Sequence, residues 1–310
     1  MTHKLCGIFP PIATPFNSDG ELMIDWFNEN IERLGKAGTS GFLVAGSQGE
    51  SAYLSDEEKV QLVKGARARI PSEKTLIVGA GKESTHLCVR FIRKVADLGA
   101  DLVLIGTPSY FKAKMNDDAL FAHFWTVADE SPIPVIIYNV PQYTGVSTGA
   151  SLIEKLSAHE NIAGVKESSA NIALQAEVRR RTPERFKIVV GSAPTMLSSF
   201  IVGACGAVVA IANVLPMQCV DIYQTFVSGD WKTAAALQDR IFRAAAAVTT
   251  EFGVPGLKFA MDLVGLHGGY ARLPLLPLDE RQKAALSSIF KDFASETQDM
   301  LSAPSRRDEF

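Results

Sequence analysis

The chain has 310 residues, of which 47% are hydrophobic and 21% charged, with a formal net charge of −3. This length allows one large α/β domain or two smaller ones, and the near-neutral charge argues against a nucleic-acid tract or a membrane-binding patch. We find no apolar run of membrane-spanning length and no secretion or transit signal at the N-terminus. A cytoplasmic protein with a small soluble ligand is therefore expected.

The cysteines and histidines form no metal or redox motif. The cysteines are scattered and lack paired spacing, and the five histidines form no zinc-binding pattern. We therefore expect reduced cysteines that serve as packing residues, no metal and no cofactor. The cysteines are Cys6, Cys88, Cys205 and Cys219.

A short β-branched apolar run followed by an amphipathic stretch recurs along the chain. The runs cover residues 7–13, 41–45, 75–80, 102–105, 134–138, 162–165, 187–190 and 207–211. Helical spacing is clearest at 23–37, 55–69, 84–98 and 117–129. Eight βα units with fully apolar strands, roughly 30 residues apart, predict an α/β fold of the (β/α)8 TIM-barrel type.

The β-pattern stops near residue 215, and the rest of the chain is predicted to be helical. The predicted helices cover 214–228, 231–249, 256–266 and 278–300, with Pro255, Pro274 and Pro277 as breakers. We expect the barrel at 1–228, a C-terminal helical extension at 229–300 and a disordered tail at 301–310.

The alternative architecture is an open doubly wound sheet, which often carries a phosphate-binding loop. The segment 79–84 superficially resembles such a loop. However, Lys82 is followed by Glu83, so the phosphate-loop pattern fails, as does the dinucleotide-binding pattern. The barrel is the better prediction.

Lys166 directly follows the apolar run predicted at 162–165. A lysine at such a position could simply turn to solvent. If it is buried, loss of hydration lowers the pKa of its amine and makes it a nucleophile for a carbonyl carbon.

Polar side chains follow five of the predicted strands, where the working residues of a TIM barrel lie. The segments are 46–50, 107–110, 138–141, 166–168 and 191–192. Each alone has an ordinary explanation, such as a tight turn, a buried aromatic residue or loop packing. Together they predict polar groups converging on one rim around Lys166.

These residues resemble the pyruvate-dependent class I aldolase and lyase family, which includes dihydrodipicolinate synthase, N-acetylneuraminate lyase and 4-hydroxy-2-oxoglutarate aldolase. The resemblance covers residues 5–295. It is carried by the segments 46–50, 138–141, 164–168 and 191–192, in the order typical of the family. Tyr138 precedes Lys166 by 28 positions, as the family requires.

The resemblance implies a role for each residue. Lys166 would form an imine with pyruvate, Tyr138 would be the general acid and base, and Ser47 with Gln48 would hold the substrate carboxylate. Tyr110 would reach the neighbouring subunit's site as a proton relay in a homotetramer, a dimer of dimers. The remaining predicted substrate contacts are Ser168, Gly191, Val208 and Tyr143.

The residues after Pro141 depart from the typical synthase. An arginine there grips the semialdehyde carboxylate in those enzymes, whereas this chain continues through residues 142–145 without one. Segments 131–134, 212–215, 246–258 and 268–269 resemble the 4-hydroxy-2-oxoglutarate aldolase branch. We expect cleavage of 4-hydroxy-2-oxoglutarate to pyruvate and glyoxylate. The alternatives are a 2-oxo-3-deoxy sugar-acid aldolase such as an L-threo-3-deoxyhexulosonate aldolase, then dihydrodipicolinate synthase. A non-enzyme alternative is a regulatory barrel that binds a 2-oxo acid without catalysis and regulates a partner.

Overall fold

The computed structural model describes residues 5–302, and within that range eight parallel strands alternate with helices. The strands are β1 (Gly7–Ile8), β2 (Gly41–Val44), β3 (Thr75–Gly79), β4 (Leu102–Gly106), β5 (Val135–Asn139), β6 (Ile162–Glu167), β7 (Lys187–Val190) and β8 (Gly206–Ala207). Each pairs in parallel with its neighbours in the order β1-β8-β7-β6-β5-β4-β3-β2. The predicted (β/α)8 barrel is confirmed.

The helices surround this sheet and then continue past it. They are α1 (Ile24–Leu34), α2 (Asp56–Arg69), α3 (Thr85–Asp97), α4 (Asp117–Glu130), α5 (Pro141–Thr144), α6 (Ala150–Leu156), α7 (Ile172–Arg181), α8 (Met196–Ile201), α9 (Pro216–Val227), α10 (Trp231–Ala246), α11 (Gly253–Leu263) and α12 (Glu280–Ser302). The capping box that begins α2 is present, because Ser55 and Glu58 exchange side-chain and backbone hydrogen bonds. Within residues 5–302, no helix is both long and apolar enough to cross a membrane.

The barrel closes between β1 and β2 through backbone contacts rather than a regular ladder. Ile12 N–H donates to Leu43 O at 2.9 Å, and Leu43 N–H donates to Pro10 O at 3.0 Å. The predicted run 7–13 therefore contributes a strand of only two residues. Two prolines, Pro10 and Pro11, lack the N–H groups that a longer ladder needs.

The eighth strand is also shorter than the predicted run 207–211. It covers Gly206–Ala207, and Ala210–Asn213 forms a 3-10 turn instead. Asn213 stabilises this turn, because its side-chain amide donates to Pro11 O and Ala210 O at 2.9 and 3.0 Å. The chain therefore leaves the sheet after Ala207.

Two apolar layers fix the barrel. One lies between the strands and the helices, and the other fills the barrel interior with residues that alternate along the strands. The interior layer includes Leu43, Ile77, Leu104, Ile136 and Val189. It supports the polar side chains at the carboxyl ends of the strands from below.

The C-terminal segment differs from its prediction in three places. The turn after α10 is a π-helix, Ala247–Glu251. Pro255, predicted as a breaker, instead lies in the first turn of α11, where a backbone N–H would have no helical partner. Helix α12 includes residues 301 and 302, and the rest of the predicted disordered tail lies outside the described residues. The division at residue 228 stays a prediction.

The cysteines are all free among the described residues, but they do not all pack inside. Cys88 and Cys219 are buried, as expected for packing residues, Cys205 is half-buried, and Cys6, which directly precedes β1, is exposed. The expectation that every cysteine packs in the interior was therefore wrong for Cys6.

Candidate active site

Lys166 lies in β6 near the carboxyl end of the barrel, and its side chain is buried. The residue is 4% exposed, and its amine lies 4.3 Å from the centre of the Tyr138 ring. Burial lowers the pKa of Lys166 from 10.5 to about 7. Near neutral pH, Lys166 is therefore a free amine in a large fraction of the protein molecules, and the free amine is the form that attacks a carbonyl carbon.

Tyr138 occupies the paired position on β5, so its side chain and that of Lys166 lie next to each other. The residue is 9% exposed, and its hydroxyl lies 3.3 Å from Ser47 Oγ. Burial raises the pKa of Tyr138, and the contact with Ser47 opposes this rise. Tyr138 is thus a protonated phenol that can give a proton to a neighbouring oxygen and take it back.

A buried amide–carboxylate pair fixes the ends of these two strands. Asn139 Nδ2 donates to Glu167 Oε2 at 2.6 Å, and both side chains are buried. The other Glu167 oxygen accepts from Ser169 N–H at 2.6 Å, while Asn139 Oδ1 accepts from Thr148 N–H at 3.0 Å. Because Asn139 and Glu167 directly follow Tyr138 and Lys166, these bonds hold the two reactive side chains in register.

The loop after β2 brings Ser47 and Gln48 to the same place. Gly49 N–H donates to Gly46 O at 3.1 Å, which closes a tight turn, and Thr14 Oγ1 donates to Gly49 O at 2.8 Å. Gln48 is 9% exposed, and its Oε1 has no hydrogen-bond partner among the described residues. A buried polar atom of this kind is expected to bind a ligand or water.

Ser168 and Gly191 form the wall opposite this loop. Ser168 is 8% exposed, and its hydroxyl interacts with the Tyr138 hydroxyl, which opposes the rise in the pKa of that phenol. A β-carbon at Gly191 would lie 1.7 Å from that Oγ and 3.0 Å from Lys166 Cε. Only glycine leaves room for both side chains, so Gly191 determines the shape of the site.

These residues surround a cavity of about 460 Å³ at the carboxyl end of the barrel. Eight of the nine predicted site residues line it: Ser47, Gln48, Tyr138, Tyr143, Lys166, Ser168, Gly191 and Val208. The strand ends of β2, β5, β6 and β7 therefore converge as expected. The volume is that of a small-molecule site.

Tyr110, after β4, is the one predicted site residue that does not line this cavity, and its role in a neighbouring subunit's site stays a prediction. Its side chain is 78% exposed and lies in a separate shallow hollow with Phe111 and Met115. The Glu83 carboxylate accepts hydrogen bonds from the Ser109 and Tyr110 N–H groups, at 2.8 and 2.9 Å. Tyr110 is thus held at the surface rather than in the cavity.

The cavity also includes residues that the sequence did not predict, Thr249 and Thr250. They belong to the π-helix between α10 and α11, an element often found at functional sites. Their hydroxyls donate to Ala245 O and Ala246 O at 2.6 and 3.2 Å. Both lie in the segment 246–258 that resembles the 4-hydroxy-2-oxoglutarate aldolase branch, but the sequence predicted only a helix there and not a place in the cavity.

The cavity is nearly neutral apart from its lysine. Of the lining residues within the described range, Lys166 is the only one that can carry a positive charge. Among residues 5–302, no group of three or more His, Cys, Asp and Glu side chains could hold a metal ion. The reactive groups are therefore an amine, a phenol and several hydroxyls and amides.

A buried lysine amine of lowered pKa beside a tyrosine, at the carboxyl end of a TIM barrel, is the arrangement that Schiff-base chemistry requires. The comparisons with known proteins agree. The profile of the "Dihydrodipicolinate synthetase family" matches residues 4–293, and the chain belongs to that family.

The named relatives cover nearly the whole chain. A 4-hydroxy-tetrahydrodipicolinate synthase from Methanothrix thermoacetophila is 34% identical over 295 residues, which is 95% of this chain and 99% of the relative. The crystal structure of a dihydrodipicolinate synthase from Bacillus anthracis matches with a TM-score of 0.87 at 28% identity, covering 96% of this chain and 98% of that one.

A third match was solved with a ligand. YagE, a prophage protein of the dihydrodipicolinic acid synthase family from E. coli K12, was crystallised in complex with pyruvate. It matches with a TM-score of 0.87 at 26% identity and covers 93% of this chain and 98% of its own.

Proposed function

We propose that this protein is a class I aldolase that cleaves a 4-hydroxy-2-oxo acid to pyruvate and an aldehyde. The observation that carries the proposal is the buried amine of Lys166, 4.3 Å from the centre of the Tyr138 ring and open to the cavity. The family membership and the pyruvate bound to YagE support pyruvate as the product.

The reaction begins when the neutral amine of Lys166 attacks the 2-oxo carbon of the substrate. Loss of the carbonyl oxygen as water leaves a protonated imine. The iminium accepts the electron pair of the C3–C4 bond, so cleavage yields an enamine rather than an unstabilised carbanion. Protonation of the enamine at C3 and hydrolysis of the imine then release pyruvate and regenerate the amine.

Tyr138 supplies the proton transfer at C4. Its phenol lies beside Lys166 and contacts Ser47. In the cleavage direction the C4 hydroxyl loses its proton as the C4 carbonyl forms, and Tyr138 relays that proton. In the condensation direction, the same group returns it.

The loop after β2 is the proposed carboxylate site. Backbone N–H groups and the hydroxyl of Ser47, together with the Gln48 amide, would hold the C1 carboxylate next to Lys166. The unpartnered Gln48 Oε1 indicates a site that is completed by a polar ligand or water. Fixing the carboxylate orients the 2-oxo carbon toward the amine.

We favour 4-hydroxy-2-oxoglutarate as the substrate and glyoxylate as the aldehyde. The sequence resemblance to that branch supports it, and glyoxylate is short enough for Ser168 and Tyr143 to hold its carboxylate. The described cavity lining provides no arginine for the carboxylate of aspartate semialdehyde. The activity in the relatives' names is therefore the less favoured assignment.

A 2-oxo-3-deoxy sugar acid is the second candidate, supported by a specific feature of the cavity. The hydroxyls of Ser169, Ser192, Thr249 and Thr250 line the cavity together with the Gln142 amide. Neutral donors and acceptors suit a hydroxylated aldehyde such as glyceraldehyde at least as well as a carboxylate.

The exposed tyrosine supports an assembly proposal. Tyr110 and Phe111 are 78% and 70% exposed, and their rings contact edge to face with centres 5.0 Å apart. Such a pair is expected to be covered by another subunit. We propose a homotetramer in which Tyr110 reaches the neighbouring site. Analytical ultracentrifugation at the concentration of the activity assay measures the oligomeric state. A monomer with full activity under those conditions would contradict the proposal.

The test of the substrate assignment compares kcat/KM for three reactions. They are cleavage of 4-hydroxy-2-oxoglutarate, cleavage of a 2-oxo-3-deoxy sugar acid, and condensation of pyruvate with aspartate semialdehyde. We expect the first to be the highest and the semialdehyde reaction to be lower by roughly tenfold or more, because its carboxylate lacks an arginine. Efficient condensation with the semialdehyde would refute the assignment.

A further inference from the structure

A buried ion pair joins the loop after β2 to the C-terminal helices. The Lys258 amine, on α11, lies 2.5 Å from a Glu50 carboxylate oxygen, and the two side chains are 1% and 0% exposed. Neither residue lines the cavity. Glu50 is nevertheless the last residue of the loop that carries Ser47 and Gln48.

Both partners of this pair are further anchored. The Lys258 amine donates to Tyr270 O at 2.6 Å and lies 4.5 Å from the centre of the Phe16 ring. The other Glu50 carboxylate oxygen accepts from Arg272 N–H at 2.8 Å. Burial lowers the pKa of Lys258 to about 8, and the charge of Glu50 opposes this effect. The carboxylate is thus held by residues that follow the barrel in the chain.

The backbone of Glu50 needs such support. Its φ is +55°, a left-handed conformation that residues other than glycine rarely adopt. Ala45, at the other end of the loop, has φ +54°. A conformation of this kind persists only where the surrounding structure enforces it. The Glu50 N–H also donates to Ser47 O at 3.1 Å, so the position of Glu50 and that of Ser47 depend on each other.

Stability alone is a weak reason for this pair. The free energy lost when two charges are removed from water offsets much of the free energy gained from their attraction. Apolar residues of similar size therefore often stabilise a protein equally well. A buried pair does, however, favour one arrangement of the backbone over others.

We propose that Lys258 and Glu50 form a positioning pair, which holds the loop at 46–50 in the conformation that binds the substrate carboxylate. This inference rests on the proposed function. Neither residue touches the reacting atoms, and the C-terminal helical segment would act on the site through Glu50. Loosening the pair should weaken binding of the 2-oxo acid more than it slows the chemistry.

The test measures borohydride trapping of pyruvate on the enzyme as a function of pyruvate concentration. Glu50→Gln keeps the size of the side chain, and Lys258→Met keeps its length. Each is expected to raise the half-saturating pyruvate concentration at least tenfold and to change the trapping rate at saturation less than threefold. The double variant Glu50→Gln/Lys258→Met leaves no unpaired buried charge, so it should be more stable than Lys258→Met, but its half-saturating pyruvate concentration should stay raised because the pair is absent.

The matched control is Glu58→Gln. Glu58 pairs with the Arg272 guanidinium, whereas Glu50 accepts from the Arg272 backbone N–H, and the Glu58 carboxylate does not contact the loop at 46–50. A glutamine still completes the capping box of α2. We expect wild-type half-saturation for this control, with circular dichroism confirming that each variant is folded.

The outcomes separate the two proposals. Failure of the wild-type enzyme to trap pyruvate would refute the proposed function itself. If wild type is trapped and folded Glu50→Gln has the same half-saturation as Glu58→Gln, the pair does not position the loop. Glu50→Gln keeps the test decisive should Lys258→Met fail to fold.

Discussion

Lys166 and Tyr138 occupy paired positions on neighbouring parallel strands, with the lysine amine 4.3 Å from the centre of the tyrosine ring. The contact places a nucleophile and a proton carrier on the same side of the sheet. Since both lie at the carboxyl end of the barrel, the fold itself supplies their proximity. Asn139 and Glu167, the next residues on the two strands, hold that register.

The first prediction concerns pH. Because burial lowers the pKa of Lys166 to about 7, the fraction of free amine rises with pH and levels off above that value. The rate of imine formation with pyruvate should follow this curve, with a midpoint near pH 7 and a roughly tenfold loss per pH unit below it. Stopped-flow or quenched trapping between pH 5.5 and 9 measures it. A midpoint above about 9 would show that the lysine is not desolvated.

The second prediction is that the catalytic lysine destabilises the fold. In the unfolded chain the amine keeps its ordinary pKa of about 10.4, so below pH 7 the folded protein must hold a buried ammonium. Lys166→Met should raise the free energy of unfolding at pH 6.5 by about 2–4 kcal/mol. The gain should shrink as the pH rises above about 7 and disappear only above about 10.4, where the amine is neutral in both states. Urea unfolding at pH 6.5 and 9.5 measures the difference, and a loss of stability at both values would contradict the prediction.

The third prediction separates the two reactive residues. Tyr138→Phe removes the hydroxyl but keeps the ring beside Lys166. Trapping of pyruvate should persist, whereas turnover should fall by about 10²–10⁴-fold, the usual range for loss of a general acid or base. Tyr223→Phe is the control, because Tyr223 lies on α9 and does not line the cavity. Unchanged turnover in Tyr138→Phe would remove this residue from the mechanism.

The fourth prediction uses two glycines. A β-carbon at Gly191 would collide with Ser168 Oγ and press on Lys166 Cε, so Gly191→Ala should displace both. We expect pyruvate trapping to fall by at least about tenfold, since small displacements of reacting groups are costly. Gly149→Ala is the matched control, because a β-carbon at Gly149 meets nothing within 4 Å. Equal activity in the two variants would mean that the wall at Gly191 is not tightly packed.

The sequence predicted the barrel because its strands are buried on both faces and read as short β-branched runs. Two differences between the predicted and the observed elements, at β1 and at α11, come from prolines. Pro10 and Pro11 remove the N–H groups that would extend β1, and Pro255 lies in the first turn of α11 instead of interrupting the chain before it. A proline can interrupt a helix or lie in its first turn, and the apolar pattern of the sequence does not specify which of the two occurs.

The sequence predicted only those site residues that lie at or just after the carboxyl ends of the predicted strands. Tyr138 ends one apolar run, Lys166 directly follows another, and Ser47 lies two residues after a third. In a TIM barrel the carboxyl ends of all strands meet at one face, so these residues were expected to lie together. Thr249 and Thr250 reach the cavity through a π-helix, and Glu50 meets Lys258 across 208 positions of sequence. Such contacts depend on how the C-terminal helices pack on the barrel, so no local pattern revealed them.

The covalent role of Lys166 is the central claim, and borohydride reduction in the presence of pyruvate tests it most directly. The peptide that contains Lys166 should gain the mass of pyruvate less one oxygen atom, because the imine loses water and then takes up two hydrogens. Lys166→Ala should abolish the adduct, and the Lys258→Ala variant should still carry it at saturating pyruvate. An adduct on another lysine, or none in the wild-type protein, would contradict the account.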